Sequence, residues 1–151
     1  MTHEPIRKST LVEASPDDAY RVFTAEIATW WPLATKSVGQ AESETLVMEA
    51  FVGGRLYERT GGEEVEWGEI LVWEAPHRLV FSWYPGRGSE SGQEVELRFQ
   101  AERGGTRVDL EHRGWERLGK RAAEALAHYV SGWDEVLERY ADAVAGARSG
   151  T

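Results

Sequence analysis

The chain has 151 residues, of which 41% are hydrophobic and 28% charged, and its net charge is −9. This length and balance predict one soluble domain with a hydrophobic core of its own. The absence of cysteine excludes disulfides and thiolate chemistry, and an acidic chain without a basic stripe disfavours nucleic acid as a partner. The first residues show no signal pattern and no apolar run is long enough to span a membrane, so we expect a cytoplasmic location.

The first third of the chain predicts one strand followed by two short helices. Apolar and polar residues alternate over residues 6–13, which is typical of a strand. A helix is expected to begin after Ser15, because a serine hydroxyl can cap the first turn and Pro16 suits the first helical position. A second short helix is expected over residues 26–31, because the next residue is a proline.

The middle of the chain predicts about six further strands in antiparallel order. Glycine pairs separate several of them, and turns this tight join antiparallel strands. The third of these strands is apolar on both sides, which indicates either a strand covered on two faces or a bulge that shifts the alternation. Residues 85–92 are rich in Gly and Ser and predict a flexible hairpin loop. The expected strands cover residues 45–51, 55–60, 64–74, 79–84, 94–101 and 106–112.

A long amphipathic helix is predicted over residues 120–145. Apolar residues recur at a spacing of three or four from Leu126 to Val144, so one side of the helix must lie on another element. Gly132 lies within this helix at a cost of about 1 kcal/mol relative to Ala, which indicates a close approach of the sheet or a bend around a cavity. The order of elements predicts an α+β fold in which a curved antiparallel sheet wraps around the final helix.

Several motifs together resemble one known family. They are Trp30-Trp31-Pro32, Gly53-Gly54, Gly68 with Glu69-Ile70-Leu71, Pro76 with Leu79, Phe81-Ser82-Trp83, residues 106–112 with Gly114-Trp115, and Gly132-Trp133. In number and order they resemble the bacterial relatives of the activator of the ninety-kilodalton heat-shock-protein ATPase, within the START-like (SRPBCC) superfamily. The resemblance spans about residues 6–140. It implies a single helix-grip domain over residues 1–151, ordered over about 6–145, with six to seven strands and two short helices after the first strand.

The resemblance also implies a hydrophobic cavity between the sheet and the final helix. It implies no single reaction, because the superfamily includes lipid and hormone carriers, polyketide cyclases and proteins of unknown role. Three functions stay open: binding of a small hydrophobic or aromatic molecule, a cyclase or dehydratase reaction in the same cavity, and a chaperone-activating interaction. We expect no separate chaperone-binding domain, because 151 residues leave no room for one. A homodimer is compatible with the resemblance, although no feature of the sequence requires it.

Aromatic residues are the leading candidates for a ligand site. The chain contains seven Trp, each a large apolar side chain with one polar N–H group. A close-packed core is the alternative interpretation of the same residues. The aromatic residues expected to contact the ligand are Trp30, Trp31, Trp67, Trp73, Phe81, Trp83, Tyr129 and Trp133.

Two polar residues are candidates for ligand contact and acid–base chemistry in that site. Glu69 lies between Trp67 and Leu71 in the alternating pattern, and burial raises the pKa of a carboxyl towards the range of a general acid or base. His112 falls on the apolar side of the last strand and is a candidate proton shuttle. The alternative for Glu69, and likewise for Glu58, is an exposed or salt-bridged carboxylate. The alternative for His112 is a core histidine that is hydrogen-bonded to a carbonyl or a tryptophan. The four histidines lack metal-ligand spacing, so we predict neither a metal nor a cofactor.

Overall fold

The structure is a computed structural model that describes residues 4–87 and 92–149. Part of the predicted flexible loop over residues 85–92 therefore lies outside the described residues. The helices are α1 (Pro16–Thr24), α2 (Ile27–Trp30) and α3 (Ala122–Ser149), with 3₁₀ segments at Gln40–Glu42 and Trp115–Arg121. The strands are β1 (Ile6–Val12), β2 (Ser43–Met48), β3 (Arg55–Thr60), β4 (Glu63–Glu74), β5 (Arg78–Trp83), β6 (Gln93–Glu102) and β7 (Gly105–Arg113).

The seven strands form one antiparallel sheet in the order β1-β7-β6-β5-β4-β3-β2. From β2 to β7 each strand pairs with the next in sequence, as short turns require, while β1 pairs with β7 along its whole length. Helix α3 lies against the concave side of this sheet. The predicted α+β helix-grip fold is therefore confirmed. The α3 residues that pack into the core include Trp133, Val136, Leu137, Tyr140 and Val144.

Helix α1 begins where the sequence predicts it and covers one end of the space between sheet and α3. The Ser15 hydroxyl accepts a hydrogen bond from the Asp18 amide at 3.2 Å, which caps the helix. Its buried side includes Phe23, which has no exposed surface. The Tyr140 hydroxyl of α3 donates to the Ala19 carbonyl at 2.6 Å. This buried bond fixes α3 against α1.

Two bulges in β4 decide which of its side chains face the core. The pairing with β3 shifts between Gly68 and Glu66, and the pairing with β5 shifts between Ile70 and Val72. Each bulge adds one residue to the strand, so inward positions are separated by three residues instead of two. The inward residues are Trp67, Ile70 and Trp73.

The predicted placement of Glu69 on the tryptophan side is wrong for this reason. After the first bulge Gly68 is buried and Glu69 is exposed. Glycine is required at the bulge, because a Cβ on Gly68 would lie 1.7 Å from the Ser82 carbonyl oxygen of the neighbouring strand. Glu69 therefore lies on the solvent side of the sheet, as the alternative interpretation of an exposed carboxylate states.

Candidate functional site: an aromatic cavity between the sheet and the C-terminal helix

A cavity of about 230 Å³ lies between β4, β5, α3 and the loop that follows α2. Five aromatic residues form much of its wall, and the tryptophans among them are almost fully buried. The loop residues Thr35, Val38 and Gln40 are exposed and lie at its opening. The aromatic residues of the wall are Trp31, Trp67, Trp83, Tyr129 and Trp133. The remaining lining residues are Lys36, Ser37, Pro85, His128, Gly132 and Val136.

The five aromatic wall residues are all among the predicted contacts, whereas the other predicted residues lie elsewhere. Trp30 is in the core, where its indole N–H donates to the Val22 carbonyl at 2.8 Å. Trp73 packs edge-on against Tyr20 of α1, with 5.2 Å between ring centroids. Phe81 is buried beside Trp83, with 6.0 Å between centroids. Glu69 is on the outer side of the sheet and His112 is behind the cavity wall.

The indole N–H groups of the four lining tryptophans all have acceptors within the protein. A buried indole N–H needs such a partner, so each ring is held in one orientation. The rings therefore offer the cavity their carbon faces and edges, and leave no indole donor for a ligand. The four pairs are Trp31 with the Lys36 carbonyl (2.7 Å), Trp67 with Glu58 (3.0 Å), Trp83 with the Tyr129 hydroxyl (3.0 Å) and Trp133 with His112 (2.9 Å).

His112 orients the wall and is held neutral. Its Nδ1 accepts from the Trp133 indole, so Nε2 carries the proton and donates to the Gln93 side-chain oxygen at 2.7 Å. Burial, and secondly the positive charge of Arg87, lowers the pKa of His112 from 6.5 to about 3. This matches the alternative interpretation, a core histidine held by a tryptophan. His112 does not line the cavity, and its imidazole is already engaged on both nitrogens.

Glu58 connects the sheet to the loop that borders the cavity. Its side chain is fully buried in β3, and its carboxylate accepts from the Val38 amide at 2.9 Å and the Gly39 amide at 2.8 Å, besides the Trp67 indole. These three donors satisfy the charge of a buried carboxylate without a cation. One residue thus positions a wall tryptophan and the loop beside it.

Of the two roles that its sequence position indicates, close packing and a bend around a cavity, Gly132 does not have the first. A Cβ added to Gly132 would meet only the Lys36 Cε, at 3.9 Å, which is ordinary contact. The sheet therefore does not approach the helix closely there, and the prediction of close packing is wrong. Gly132 instead lines the cavity, and the missing side chain leaves part of its space open.

Sequence reasoning did not select the loop residues that border the cavity. Lys36 and its neighbours come from a stretch without hydrophobic periodicity, which predicts a loop but not the surface it touches. The one signal that could have found these residues was their position in the chain, because the loop directly follows Trp31.

Within the described part of the chain, no group of three or more histidine or acidic residues is arranged to hold a metal ion. Across the same residues, no helix is long and apolar enough to cross a membrane.

The sheet, α3 and the cavity between them define a helix-grip fold. The family model of Activator of Hsp90 ATPase homolog 1-like proteins matches residues 13–145. The chain belongs to this family, which confirms the resemblance read from its motifs. No curated protein matches the chain significantly.

Solved structures give the same fold. An anthrahydroquino-γ-pyrone synthase, Txn09, complexed with SUM, is 31% identical over 93% of this chain and 97% of its own, with a TM-score of 0.63. The Aha1 dimer from Colwellia psychrerythraea is 18% identical over 94% of this chain and 96% of its own, with a TM-score of 0.70. Protein NE0264 from Nitrosomonas europaea is 13% identical over 97% of both chains, with a TM-score of 0.72. The latter two show the fold alone, so a homodimer of this chain stays a prediction.

Proposed function

We propose that this protein binds a small, planar aromatic molecule in the cavity between its sheet and α3. The observation that carries the proposal is the wall of four tryptophans and Tyr129 around open space. Aromatic rings attract other aromatic rings edge to face or offset face to face. The indoles are held by their own hydrogen bonds, so they are preorganised and lose little entropy when a ligand enters.

The size of the cavity limits the ligand. Its volume of about 230 Å³ exceeds the ~150 Å³ of an apolar cavity that accepts benzene and is below the ~300 Å³ at which drug-sized sites begin. A ligand of one or two fused rings therefore fits within the cavity. A larger molecule needs to extend through the opening beside Val38 and Gln40.

A size series tests this function. Isothermal titration of the protein with phenol, 2-naphthol and 2-anthrol is expected to give the tightest binding for 2-naphthol, with a rise in melting temperature by mass action. Gly132→Leu fills the cavity and is expected to abolish this binding. The matched control is Gly146→Leu, since Gly146 is in the same helix and a Cβ there would meet nothing within 4 Å. Equal binding by the two variants, or no binding by the wild type, would contradict the proposal.

A reaction on the bound molecule is the second candidate function. It is favoured by the 31% identity to a synthase of an anthrahydroquino-γ-pyrone over almost the whole chain. The polar side chains that line this cavity include those of Lys36, His128 and Tyr129, so a reaction would use these groups and neither Glu69 nor His112.

Native mass spectrometry of freshly purified protein separates binding from catalysis. A carrier is expected to retain an aromatic molecule unchanged on prolonged incubation, whereas an enzyme converts it and stops doing so in Tyr129→Phe. Glu69→Gln is the control, because its side chain is on the opposite side of the sheet. Conversion that is lost in Glu69→Gln and kept in Tyr129→Phe would contradict a reaction by the side chains that line the cavity.

A further inference from the structure

The side chains that line the cavity have a charge opposite to that of the protein as a whole. The chain carries 26 acidic and 17 basic residues, yet the residues that line the cavity within the described chain include a lysine and no Asp or Glu. A cation beside apolar walls acts through a lower dielectric than water and attracts an anion more strongly there. The cavity is thus a local exception to the acidic surface.

Lys36 is held in place at this wall by its backbone. Its carbonyl accepts from the Trp31 indole at 2.7 Å and its amide donates to the Pro32 carbonyl at 2.8 Å. Its side chain runs past Gly132, where the open helix surface admits the aliphatic stem. Among the described residues its ammonium group has no salt-bridge partner, although the acidic chain forms many such pairs elsewhere. A partly buried, unpaired cation is available to a ligand.

The Tyr129 hydroxyl provides a hydrogen-bond donor in the same wall. Its oxygen accepts from the Trp83 indole at 3.0 Å, and within the described chain its own proton has no protein acceptor. A hydroxyl that accepts one hydrogen bond is polarised and becomes a better donor. Since the four lining indoles have used their N–H groups, this hydroxyl is the donor that the aromatic wall offers to a ligand oxygen.

A neighbouring hollow extends the positive charge. It has a volume of about 380 Å³ and shares His128 and Tyr129 with the cavity. It adds two cations, Arg87 and Arg121, and one carboxylate, Glu124. Among the described residues that line the cavity and this hollow, cations therefore outnumber carboxylates, which favours the approach of an anion.

We propose that the cavity selects aromatic molecules that carry an oxygen anion, either a carboxylate or a phenolate. The rings lie among the tryptophans, and the oxygen receives the Tyr129 hydroxyl proton in a hydrogen bond and pairs with the Lys36 ammonium group. This inference rests on the proposed function, because it names the chemical class that the same cavity prefers.

Three probes of nearly equal shape separate ring binding from anion recognition. They are 2-naphthoate, 2-naphthamide and 2-methylnaphthalene, measured by isothermal titration at pH 7.5. We expect 2-naphthoate to bind at least about tenfold more tightly than 2-methylnaphthalene, because hydrogen bonds to a charged group are about twice as strong as neutral ones. The neutral carbonyl of 2-naphthamide is expected to give an intermediate affinity.

Two variants assign the recognition to residues. Lys36→Met keeps the aliphatic stem and removes the charge, so it is expected to weaken 2-naphthoate about tenfold and 2-methylnaphthalene less than about twofold. Tyr129→Phe is expected to weaken both oxygen-bearing probes. The control is Arg103→Met, which also removes one positive charge. Arg103 lies in the turn between β6 and β7, at the end of β6 that is far from the cavity. This variant is expected to leave all three affinities unchanged. Near-ultraviolet circular dichroism checks that each variant is folded. Lys36→Gln repeats the removal of the charge with a side chain that is polar and neutral.

Each outcome decides one of the two proposals. If none of the probes binds to the wild type, the proposed function is overturned and the inference with it. If 2-methylnaphthalene binds as tightly as 2-naphthoate, the aromatic site stands and the anion selectivity is overturned. If the preference for 2-naphthoate survives in Lys36→Met, Lys36→Gln and Tyr129→Phe, these residues are not its source.

Discussion

The two ends of the interface between the sheet and α3 contain the same kinds of residues but differ in packing. At the α1 end the aromatic rings fill the space, with centroid distances of 5.2 Å from Phe23 to both Trp30 and Tyr140. At the other end the rings of Trp67 and Trp83 are nearly as close, with 5.5 Å between centroids, but they line a cavity of about 230 Å³.

The element that covers each end explains this difference. Helix α1 inserts large side chains such as Phe23 between the sheet and α3. The opposite end is covered by the loop after α2, which lines the cavity with side chains smaller than Phe23, such as Ser37 and Val38, and by Gly132, which has no side chain. Aromatic composition therefore predicts a shared interior, and the covering element determines whether that interior is closed or open.

The largest expected contrast is in stability. Phe23→Ala is expected to lower the free energy of unfolding by about 3–5 kcal/mol, because it leaves a cavity in a filled region. Val136→Ala is expected to cost only about 1 kcal/mol, since its side chain already borders open space. Urea denaturation measures both values, with the exposed Leu11→Ala as a control. A cost above about 2 kcal/mol for Val136→Ala would show that its end of the interface is packed as tightly as the α1 end.

The next effect is a pH dependence at the cavity wall. The pKa of His112 is lowered from 6.5 to about 3, so the unfolded chain binds a proton that the folded chain does not. Stability therefore rises with pH: the contribution is complete above pH 6.5 and is lost as the pH falls towards 3. Between pH 6.5 and 4.5 we expect a loss of about 2–3 kcal/mol, at roughly 1.4 kcal/mol per pH unit.

His112→Asn tests the source of this pH dependence. The amide oxygen of asparagine can still accept from the Trp133 indole, but the side chain does not titrate. Urea denaturation at several pH values is expected to show no loss between pH 6.5 and 4.5 in this variant. A wild-type profile that the substitution leaves unchanged would assign the pH dependence to other groups.

The smallest expected stability effect concerns the loop that leaves the cavity open. Glu58→Gln replaces one carboxylate oxygen by an NH₂ group that faces a backbone amide, so we expect a cost of about 1–3 kcal/mol. Hydrogen exchange at Val38 and Gly39 is expected to become faster. Glu49→Gln is the matched control, because Glu49 accepts from the Arg55 amide away from the cavity.

Ligand affinity completes this test. Glu58→Gln is expected to weaken 2-naphthol binding several-fold, because the one remaining oxygen cannot accept from all three donors, so either Trp67 or a loop amide loses its acceptor. Glu49→Gln is expected to keep the wild-type affinity. Equal affinity in both variants would show that the loop is positioned by something other than Glu58.

The sequence was sufficient for the features that depend on local periodicity. Alternation located the strands to within a few residues, and the Ser15 cap located the start of α1. The sequence was insufficient to predict the side of the sheet on which Glu69 lies. A β-bulge reverses the side to which every later residue points, and it leaves only weak traces in composition. The sequence was also insufficient for Lys36, whose neighbour Gly132 is almost a hundred residues away.

By itself the sequence determined the class of fold and the aromatic character of its interior, since both follow from which residues avoid water. Tertiary structure alone decided that five aromatic residues line this cavity while Trp30, Trp73 and Phe81 do not line it. The physical reason is that open space depends on the volume delivered by the covering elements, α1 at one end and a loop with Gly132 at the other. That volume is a property of the assembled layers and is not encoded in the pattern of any single strand or helix.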